Sequence, residues 1–258
     1  MRRLAFFLAA LAVLLSSGCA SRPAEGNLPP PRESLYVPDP PLEERANEPR
    51  KGESEELPVE PLPLELPEGA EEFVRAADYI PGLLVELRYA TENNFTGQVI
   101  YGFSDAYLRW GTVEKLACVQ SLLAEEGLGL KIWDAFRPPS AQFRLWEICP
   151  DSRYVADPTK GFSSHSRGNT VDLTLVDGEG NELEMPTGFD DFSAKADRDY
   201  SDVSPQAAEN ALRLEAAMTA GGFQPYSGEW WHFSDKDRYD VEEDFQPPED
   251  ETGGDSHG

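Results

Sequence analysis

Residues 163–175 read Ser-Ser-His-Ser-Arg-Gly-Asn-Thr-Val-Asp-Leu-Thr-Leu, a polar segment followed by alternating apolar and polar residues. Gly168 permits a tight turn after His165. The alternation that follows is typical of a β-strand, with Val171 and Asp172 on opposite faces. An aspartate among β-forming residues is costly to bury without a partner, and a metal ion is one natural partner. The alternative is an aspartate hydrogen-bonded to backbone beside a surface histidine.

A second segment with metal-binding residue types is Gly-Glu-Trp-Trp-His at residues 228–232. The chain has three histidines, and His257 lies apart from both segments, near the acidic C-terminus. A catalytic zinc takes imidazole and carboxylate ligands, usually three from the protein, and keeps one position open. His165, Asp172 and His232 therefore form a candidate zinc ligand set, which predicts a zinc hydrolase.

Glu229 is the candidate general base of this site. A base has only to reach the attacking water, so Glu229 need not be a metal ligand. Positions three apart in a flat strand face opposite sides, so a turn or bulge is needed to bring Glu229 and His232 together. Gly228, directly before them, makes such a distortion plausible.

An arginine follows a further predicted strand. Residues 131–136 read Lys-Ile-Trp-Asp-Ala-Phe and end at Arg137, which precedes two prolines. An arginine fixed in this way is well placed to meet the negative charge that develops in the transition state. A surface arginine in an ion pair is the alternative.

The remaining patterns complete the prediction of the fold. They indicate a strand at 83–89, in which Val85, Leu87 and Tyr89 alternate onto one face, and a helix at 112–127, capped by Thr112, with Leu116, Val119 and Leu123 along one stripe. They also indicate a helix from 140 capped by Ser140, a helix at 204–222 opened by Ser204 and Pro205, and a last strand at 229–233. Helices and strands are mixed without regular alternation. The sequence therefore predicts a single α+β domain with a mostly antiparallel central sheet flanked by helices.

Residues 1–18 predict a lipoprotein-type signal peptide. A basic start precedes the apolar run from Leu4 to Leu15, which is too short to be a stable membrane span, and small residues then lead to Cys19. The pattern resembles the bacterial lipoprotein signal, in which the cysteine carries the lipid, although Ser16 stands where that pattern favours leucine. We expect export to the periplasmic side of the cell envelope and a membrane anchor on Cys19. An ordinary secretory signal is the alternative.

Composition predicts the boundaries of the linker, the catalytic domain and the C-terminal tail. Residues 19–72 are rich in proline and glutamate and predict a disordered linker, residues 73–240 the catalytic domain, and residues 241–258 an acidic disordered tail. The net charge of -26 argues against nucleic acid as a partner. Cys118 and Cys149 pair in an oxidising envelope or stay as free thiols, and the sequence leaves both open.

Four motifs together resemble the D-alanyl-D-alanine dipeptidases of the VanX type. They lie at residues 89–97, 134–138, 163–175 and 229–232, in the order and with spacings similar to those of that family. The resemblance covers roughly residues 83–233. Asn169 and Thr170 depart from the small Ser-Ala pair expected there, a change that does not involve a ligand position.

The resemblance implies roles for eight residues. His165, Asp172 and His232 would bind one Zn²⁺ per chain, Glu229 would be the general base and Arg137 would stabilise the tetrahedral transition state. Tyr89, Ser163 and Asp190 match positions that shape the dipeptide pocket, although Asp191 is adjacent to Asp190 and the match could shift by one residue.

The implied activity is zinc-dependent hydrolysis of the D-alanyl-D-alanine dipeptide in the cell envelope, in peptidoglycan fragment turnover. An exported enzyme would not meet a cytoplasmic precursor, which argues against a role in antibiotic resistance. One alternative is a D,D-carboxypeptidase or endopeptidase acting on peptidoglycan stem peptides. Another is a non-catalytic cell-wall-binding lipoprotein, which would have no reason to retain Glu229.

Overall fold

The computed structural model describes residues 65–250. The predicted signal peptide, Cys19 and most of the predicted linker lie outside the described residues. The elements are β1 (Phe73–Arg75), α1 (Ala76–Tyr79), β2 (Leu84–Val85), β3 (Tyr107–Arg109), α2 (Trp110–Ala124), β4 (Leu128–Asp134), α3 (Pro139–Ile148), β5 (Thr170–Asp177), α4 (Pro205–Ala220), β6 (Phe223–Pro225) and β7 (His232–Asp235). Short 3₁₀ helices span Arg88–Ala90, Ser164–Arg167 and Ala194–Ala196.

A five-stranded sheet in the order β2-β4-β5-β7-β6 forms the centre of the described chain. The β2–β4 pair is parallel, and the three other pairs are antiparallel. Strands β1 and β3 form a separate antiparallel pair. The prediction of an α+β domain with a mostly antiparallel sheet is therefore confirmed.

The two longest helices bury apolar stripes in the core. In α2 the predicted stripe of Leu116, Val119 and Leu123 is buried. Helix α4 begins as predicted, because the Ser204 hydroxyl accepts a hydrogen bond from the Ala207 N–H at 3.0 Å. Such a cap satisfies one of the N–H groups that the first helical turn leaves unpaired.

Two other predicted helix starts are wrong. Helix α2 begins at Trp110, and the Thr112 hydroxyl donates to Asp235 Oδ2 at 2.9 Å and does not cap the helix. Helix α3 begins at Pro139, before the predicted cap at Ser140. Proline is well suited to a first helical position, since its fixed φ matches the helix and its missing N–H is not needed there.

The strand predicted at residues 83–89 is shorter in the structure. Only β2 pairs with β4, and the backbone then leaves the sheet for the 3₁₀ turn at Arg88–Ala90. Leu87 and Tyr89 are nevertheless buried, as their alternation suggested. The pattern therefore indicated burial correctly, and the backbone conformation only in part.

The chain from 241 to 250 packs on the domain, contrary to the predicted start of a disordered tail at 241. The Phe245 ring stacks on Phe73 with centroids 4.3 Å apart, and the Glu242 N–H donates to the Ser166 carbonyl at 2.9 Å. An aromatic side chain within an acidic segment supplies the apolar contact that composition alone did not indicate.

The buried residue Arg109 links both ends of the described chain to the turn that follows His165. Its Nη1 donates to the Glu71 carbonyl at 2.6 Å, and its Nη2 donates to the Asp240 carbonyl at 3.3 Å. Its Nε donates to the Arg167 carbonyl at 3.1 Å. One guanidinium thus satisfies three backbone oxygens from distant parts of the sequence.

Two further sequence questions concern the cysteines and the membrane. Cys118 and Cys149 are free, so the structure contains no disulfide between them. Among the helices at residues 65–250, none combines the length and apolar character that a membrane span requires.

Candidate active site

Three polar side chains lie in one row across the middle of the sheet. Asp134 on β4 pairs in register with Asp172 on β5, and Asp172 pairs with His232 on β7. Directly opposed residues on antiparallel strands project to the same face. A register irregularity between Ile132 and Asp134 accompanies the end of β4. Strand pairing alone therefore brings Asp172 and His232 together from distant parts of the sequence.

His165 reaches the same place from the turn that precedes β5. The Ser163 hydroxyl accepts from the His165 N–H at 3.3 Å, and Gly168, with φ of 73°, ends the turn. His165 Nδ1 lies 2.8 Å from the Ala135 carbonyl oxygen, which can only accept. Nδ1 therefore carries the proton, and Nε2 is left with its lone pair, 3.3 Å from Asp172 Oδ2.

The donor atoms of His165, Asp172 and His232 fit a zinc ion. One ligand atom from each residue lies within 4.8 Å of the others. His165 Nε2 and Asp172 Oδ1 are buried and make no hydrogen bond, although Asp172 Oδ1 lies 2.9 Å from His232 Nδ1. Buried polar atoms are nearly always satisfied, so two buried atoms without a hydrogen bond in one donor set suit the binding of a cation. Two imidazoles and one carboxylate match a catalytic zinc centre.

The charges in this cluster support one another. Burial acts to raise the pKa of Asp172, but His165 and His232 outweigh it and hold that pKa well below its ordinary value. Burial acts to lower the pKa of His165, but the charges of Asp172 and Asp134 raise it overall. Asp172 is therefore ionised, as a metal ligand must be.

Glu229 lies beside the ligand set on the turn before β7. The Glu229 N–H donates to the Tyr226 carbonyl at 3.4 Å, and Glu229 Oε2 lies 3.6 Å from His232 Nδ1. A Cβ at Gly228 would lie 3.0 Å from the Tyr226 ring, so glycine lets this turn pass close to the tyrosine. The predicted distortion is thus present. Burial and the charge of Asp172 raise the pKa of Glu229.

Arg137 is held by a buried carboxylate. Its Nε and Nη2 donate to Asp134 Oδ2 at 3.1 and 2.6 Å, and its Nη1 donates to Gln142 Oε1 at 2.9 Å. Its guanidinium carbon lies 5.1 Å from the centre of the Tyr89 ring. Burial acts to lower the pKa of Arg137, but Asp134 reverses the effect and the pKa lies well above its ordinary value.

Tyr89 and Asp190 form a second polar pair in the same cavity. The Tyr89 hydroxyl donates to Asp190 Oδ2 at 2.7 Å. Burial raises the pKa of Asp190 to about 8. The neighbouring Asp191 is exposed and accepts from the Ser193 N–H at 2.9 Å. The structure therefore places Asp190, and not Asp191, at the cavity wall.

A cavity of 340 Å³ brings all eight predicted residues together. Its wall contains Tyr89, Arg137, Ser163, His165, Asp172, Asp190, Glu229 and His232. It also contains Arg153, Tyr154, Phe162, Phe192 and Tyr226, which sequence reasoning did not single out. Most of these lie in irregular loops, where no periodic pattern marks them.

Sequence reasoning also assigned no separate role to the residues behind Arg137. Asp134 is fully buried and accepts from the Tyr101 hydroxyl at 2.7 Å, and Gln142 binds Arg137 from α3. A charged residue at the end of an apolar strand was the available signal for Asp134. Gln142 and Tyr101 carry no comparable signal.

Comparisons with known proteins indicate the family of the chain. A family model described as D-ala-D-ala dipeptidase matches residues 69–247. The D-alanyl-D-alanine dipeptidase of Escherichia coli (strain K12) is 45% identical over 162 residues, which cover 63% of this chain and 83% of that protein. The D-alanyl-D-alanine dipeptidase of Enterococcus faecium is 31% identical over 181 residues, covering 62% of this chain and 90% of that protein. The solved structure of VanYB in complex with D-Alanine-D-Alanine is 16% identical, covers 54% of this chain and 74% of that chain, and has a TM-score of 0.35.

We expect Asp190→Asn to change how the stability of the metal-free protein depends on pH. The pKa of Asp190 is about 8 in the folded protein and about 3.9 in an unfolded chain. Folding therefore takes up a proton between these values, and this carboxyl lowers stability as pH rises from about 4 to about 8. Asparagine removes the titration and still accepts from Tyr89. The variant should melt at a higher temperature than wild type at pH 8, with the difference shrinking toward pH 4.

Thermal melts of chelator-treated proteins at several pH values measure this effect. Asp191→Asn changes the exposed neighbour and is the matched control, for which we expect the pH dependence of wild type. Identical pH profiles for wild type and Asp190→Asn would contradict the raised pKa.

Proposed function

Since the chain belongs to the D-Ala-D-Ala dipeptidase family, we propose that its cavity hydrolyses the free dipeptide D-Ala-D-Ala with one zinc ion per chain. Membership in this family makes the chain a zinc metallopeptidase. The observation that carries the proposal is the combination within one cavity of a three-residue ligand set, a separate carboxylate, a fixed arginine and a second carboxylate paired with a tyrosine. Each of these groups has a part in cleaving a small zwitterionic peptide.

His165, Asp172 and His232 hold the metal. Zinc, when bound, supplies Lewis-acid chemistry that polarises the scissile carbonyl and makes water a better nucleophile near neutral pH. The Ala135 carbonyl fixes the tautomer of His165 so that Nε2 faces the site. A backbone or carboxylate partner on the second ring nitrogen orients a ligand histidine and increases its basicity.

Glu229 moves the proton of the reaction. It lies outside the ligand set, and its carboxylate is close enough to His232 to reach a water at the same centre. The carboxylate takes a proton from the attacking water and then gives it to the leaving amine. Burial and the charge of Asp172 raise the pKa of this carboxylate, which favours it as a proton acceptor.

Arg137 stabilises the negative charge that develops on the carbonyl oxygen. Its guanidinium lines the cavity and is held by Asp134 and Gln142, so its N–H groups are oriented before the substrate arrives. Donors that are already in place cost no reorganisation when the charge forms.

Asp190 and Tyr89 form the end of the cavity that recognises the free amine. An ammonium group bound at Asp190 supplies the counter-charge that its buried carboxyl lacks. Ser163 lines the cavity and also caps the turn that carries His165, so it links substrate contacts to the ligand set. A peptide with a blocked amine offers Asp190 no partner. This requirement separates a dipeptidase from a carboxypeptidase.

We further propose that the protein acts in the cell envelope, anchored to a membrane through a lipid on Cys19. The support is the basic start, the short apolar run and the small residues before Cys19. The proline- and glutamate-rich segment that follows would act as a spacer between the anchor and the catalytic domain. In that location the substrate pool consists of peptidoglycan fragments, and the proposed role is their turnover.

Variants of Glu229 and His232 separate the base from the ligands. We expect Glu229→Gln to keep zinc and lose turnover by about 10²–10⁴-fold, the usual contribution of a general acid–base group. His232→Ala should lose both zinc and activity, because it removes a ligand. Metal analysis and kcat on purified chains measure these effects, with Glu209→Gln on the exposed face of α4 as a control. Loss of zinc in Glu229→Gln, or full zinc in His232→Ala, would contradict the assignment.

Blocking the substrate amine tests the dipeptidase function itself. Removal of one partner from a buried charge pair costs roughly 3–5 kcal/mol, so we expect a preference of about 10²–10³-fold for free D-Ala-D-Ala over its N-acetyl derivative. Asp190→Ala should lose this preference, mainly by losing activity on the free dipeptide. The measurement is kcat/KM for both substrates. Comparable values in the wild type would favour a carboxypeptidase.

Replacing Cys19 tests the anchor. The wild-type chain expressed in a bacterial host should partition with membranes, and Cys19→Ala should not, because the lipid chains supply the membrane affinity. Fractionation with detection of incorporated lipid label measures the difference. Equal partition of both chains into the soluble fraction would rule out the anchor and leave the catalytic proposal unaffected.

A further inference from the structure

Asp134 is a buried carboxylate behind the catalytic cavity, and it binds Arg137 of the cavity wall. It is fully buried and is not part of the cavity wall. Its Oδ1 accepts from the Tyr101 hydroxyl at 2.7 Å and from the Ala135 N–H at 2.9 Å. Its Oδ2 accepts twice from Arg137, at 3.1 and 2.6 Å. Both oxygens are satisfied, so the position of this carboxylate is strongly determined.

The same contacts determine the orientation of Arg137. A guanidinium has five N–H donors in a fixed plane. Two of them bind Asp134 Oδ2 and one binds Gln142 Oε1, which is itself oriented by a bond from Gln142 Nε2 to the Ala156 carbonyl at 2.8 Å. The two remaining donors are left for groups in the cavity that Arg137 lines.

We propose that Asp134 is a positioning residue that fixes the Arg137 guanidinium against the reacting carbonyl and so sets kcat without touching the substrate. The inference rests on the role proposed above for Arg137. A long side chain free to change rotamer would have to be ordered during the reaction, whereas Asp134 orders it beforehand. Asp134 also supplies the charge that keeps this buried cation stable.

A competing interpretation is that Asp134 supports the metal ligand His165. Asp134 Oδ2 lies 3.7 Å from His165 Nδ1, beyond hydrogen-bond distance. His165 Nδ1 already donates to the Ala135 carbonyl at 2.8 Å. The direct bonds of Oδ2 therefore go to Arg137, and zinc content distinguishes the two interpretations.

Asp134→Asn changes this arrangement with little change in shape. The Ala135 N–H and the Tyr101 hydroxyl both require an acceptor, so the amide oxygen turns to them and the amide NH₂ faces Arg137. Two donors then oppose each other, and the guanidinium loses its counter-charge. We expect kcat on free D-Ala-D-Ala to fall by about 10²–10³-fold, as for loss of an oxyanion donor, while KM changes little and zinc content stays at the wild-type level.

A double-mutant cycle with Arg137→Ala tests the route of the effect. If Asp134 acts through Arg137, the double variant should be no slower than Arg137→Ala alone. Additive losses would overturn the inference, and so would loss of zinc in Asp134→Asn. If the Asp134→Asn variant keeps the wild-type kcat while the Arg137→Ala variant is slow, this inference is overturned and the proposed role of Arg137 stands. Wild-type kcat in Arg137→Ala would instead remove the proposed role of Arg137, and this inference with it.

Two further variants distinguish a loss of kcat that acts through Arg137 from one caused by a disturbed fold. Tyr101→Phe removes one bond to Asp134 and keeps its charge, so it serves where Asp134→Asn does not fold. It should lower kcat several-fold in the wild-type background and not at all beside Arg137→Ala, and equal losses in both backgrounds would overturn the inference. Asp235→Asn is the matched control, because Asp235 is a buried carboxylate paired with Lys115 at 2.5 Å. It should lower the melting temperature and leave kcat unchanged, and a comparable fall in kcat would also overturn the inference.

Discussion

The register between strands β4, β5 and β7 is the constraint on which the site depends. It sets Asp172 opposite His232 on one side and opposite Asp134 on the other. Since side chains alternate between faces, a slip of one residue would send Asp172 away from its partners. The apolar neighbours Val171 and Leu173 are fully buried and oppose such a slip. The same apolar contacts that stabilise the sheet therefore keep the candidate metal-binding donors together.

The three carboxylates around the cavity differ because their surroundings differ. Asp172 lies between two histidines that lower its pKa, whereas burial raises the pKa of Asp190 to about 8. The pKa of Glu229 is raised by burial and by the charge of Asp172. These differences suit the three carboxylates to the separate roles proposed for them in metal binding, substrate recognition and proton transfer. A bound cation would act on all three at once, so their roles are interdependent.

Sequence reasoning succeeded where the determining contacts are local. The Ser204 cap of α4 is confirmed. The two candidate ligand histidines and Glu229, whose roles stay predictions, also lie in short segments whose residue types carry the expected chemistry. It failed where distant chain segments decide the outcome. Thr112 donates to Asp235 and does not cap α2, and Phe245 of the predicted tail stacks on Phe73. The choice of Asp190 over Asp191 depends on Tyr89, far away in the sequence. Contacts of this kind cannot be predicted from the periodicity or the motifs of the sequence.

Arg109 has a consequence for the order in which the domain is assembled. Its three carbonyl partners are Glu71, Arg167 and Asp240. A chain made from its N-terminus offers the first of these early and the last only when the domain is almost finished. The loop bearing His165 therefore receives its final support after nearly all of the domain has been synthesised. We therefore expect the proposed metal centre to be completed late in biosynthesis, although its candidate ligands all precede residue 240.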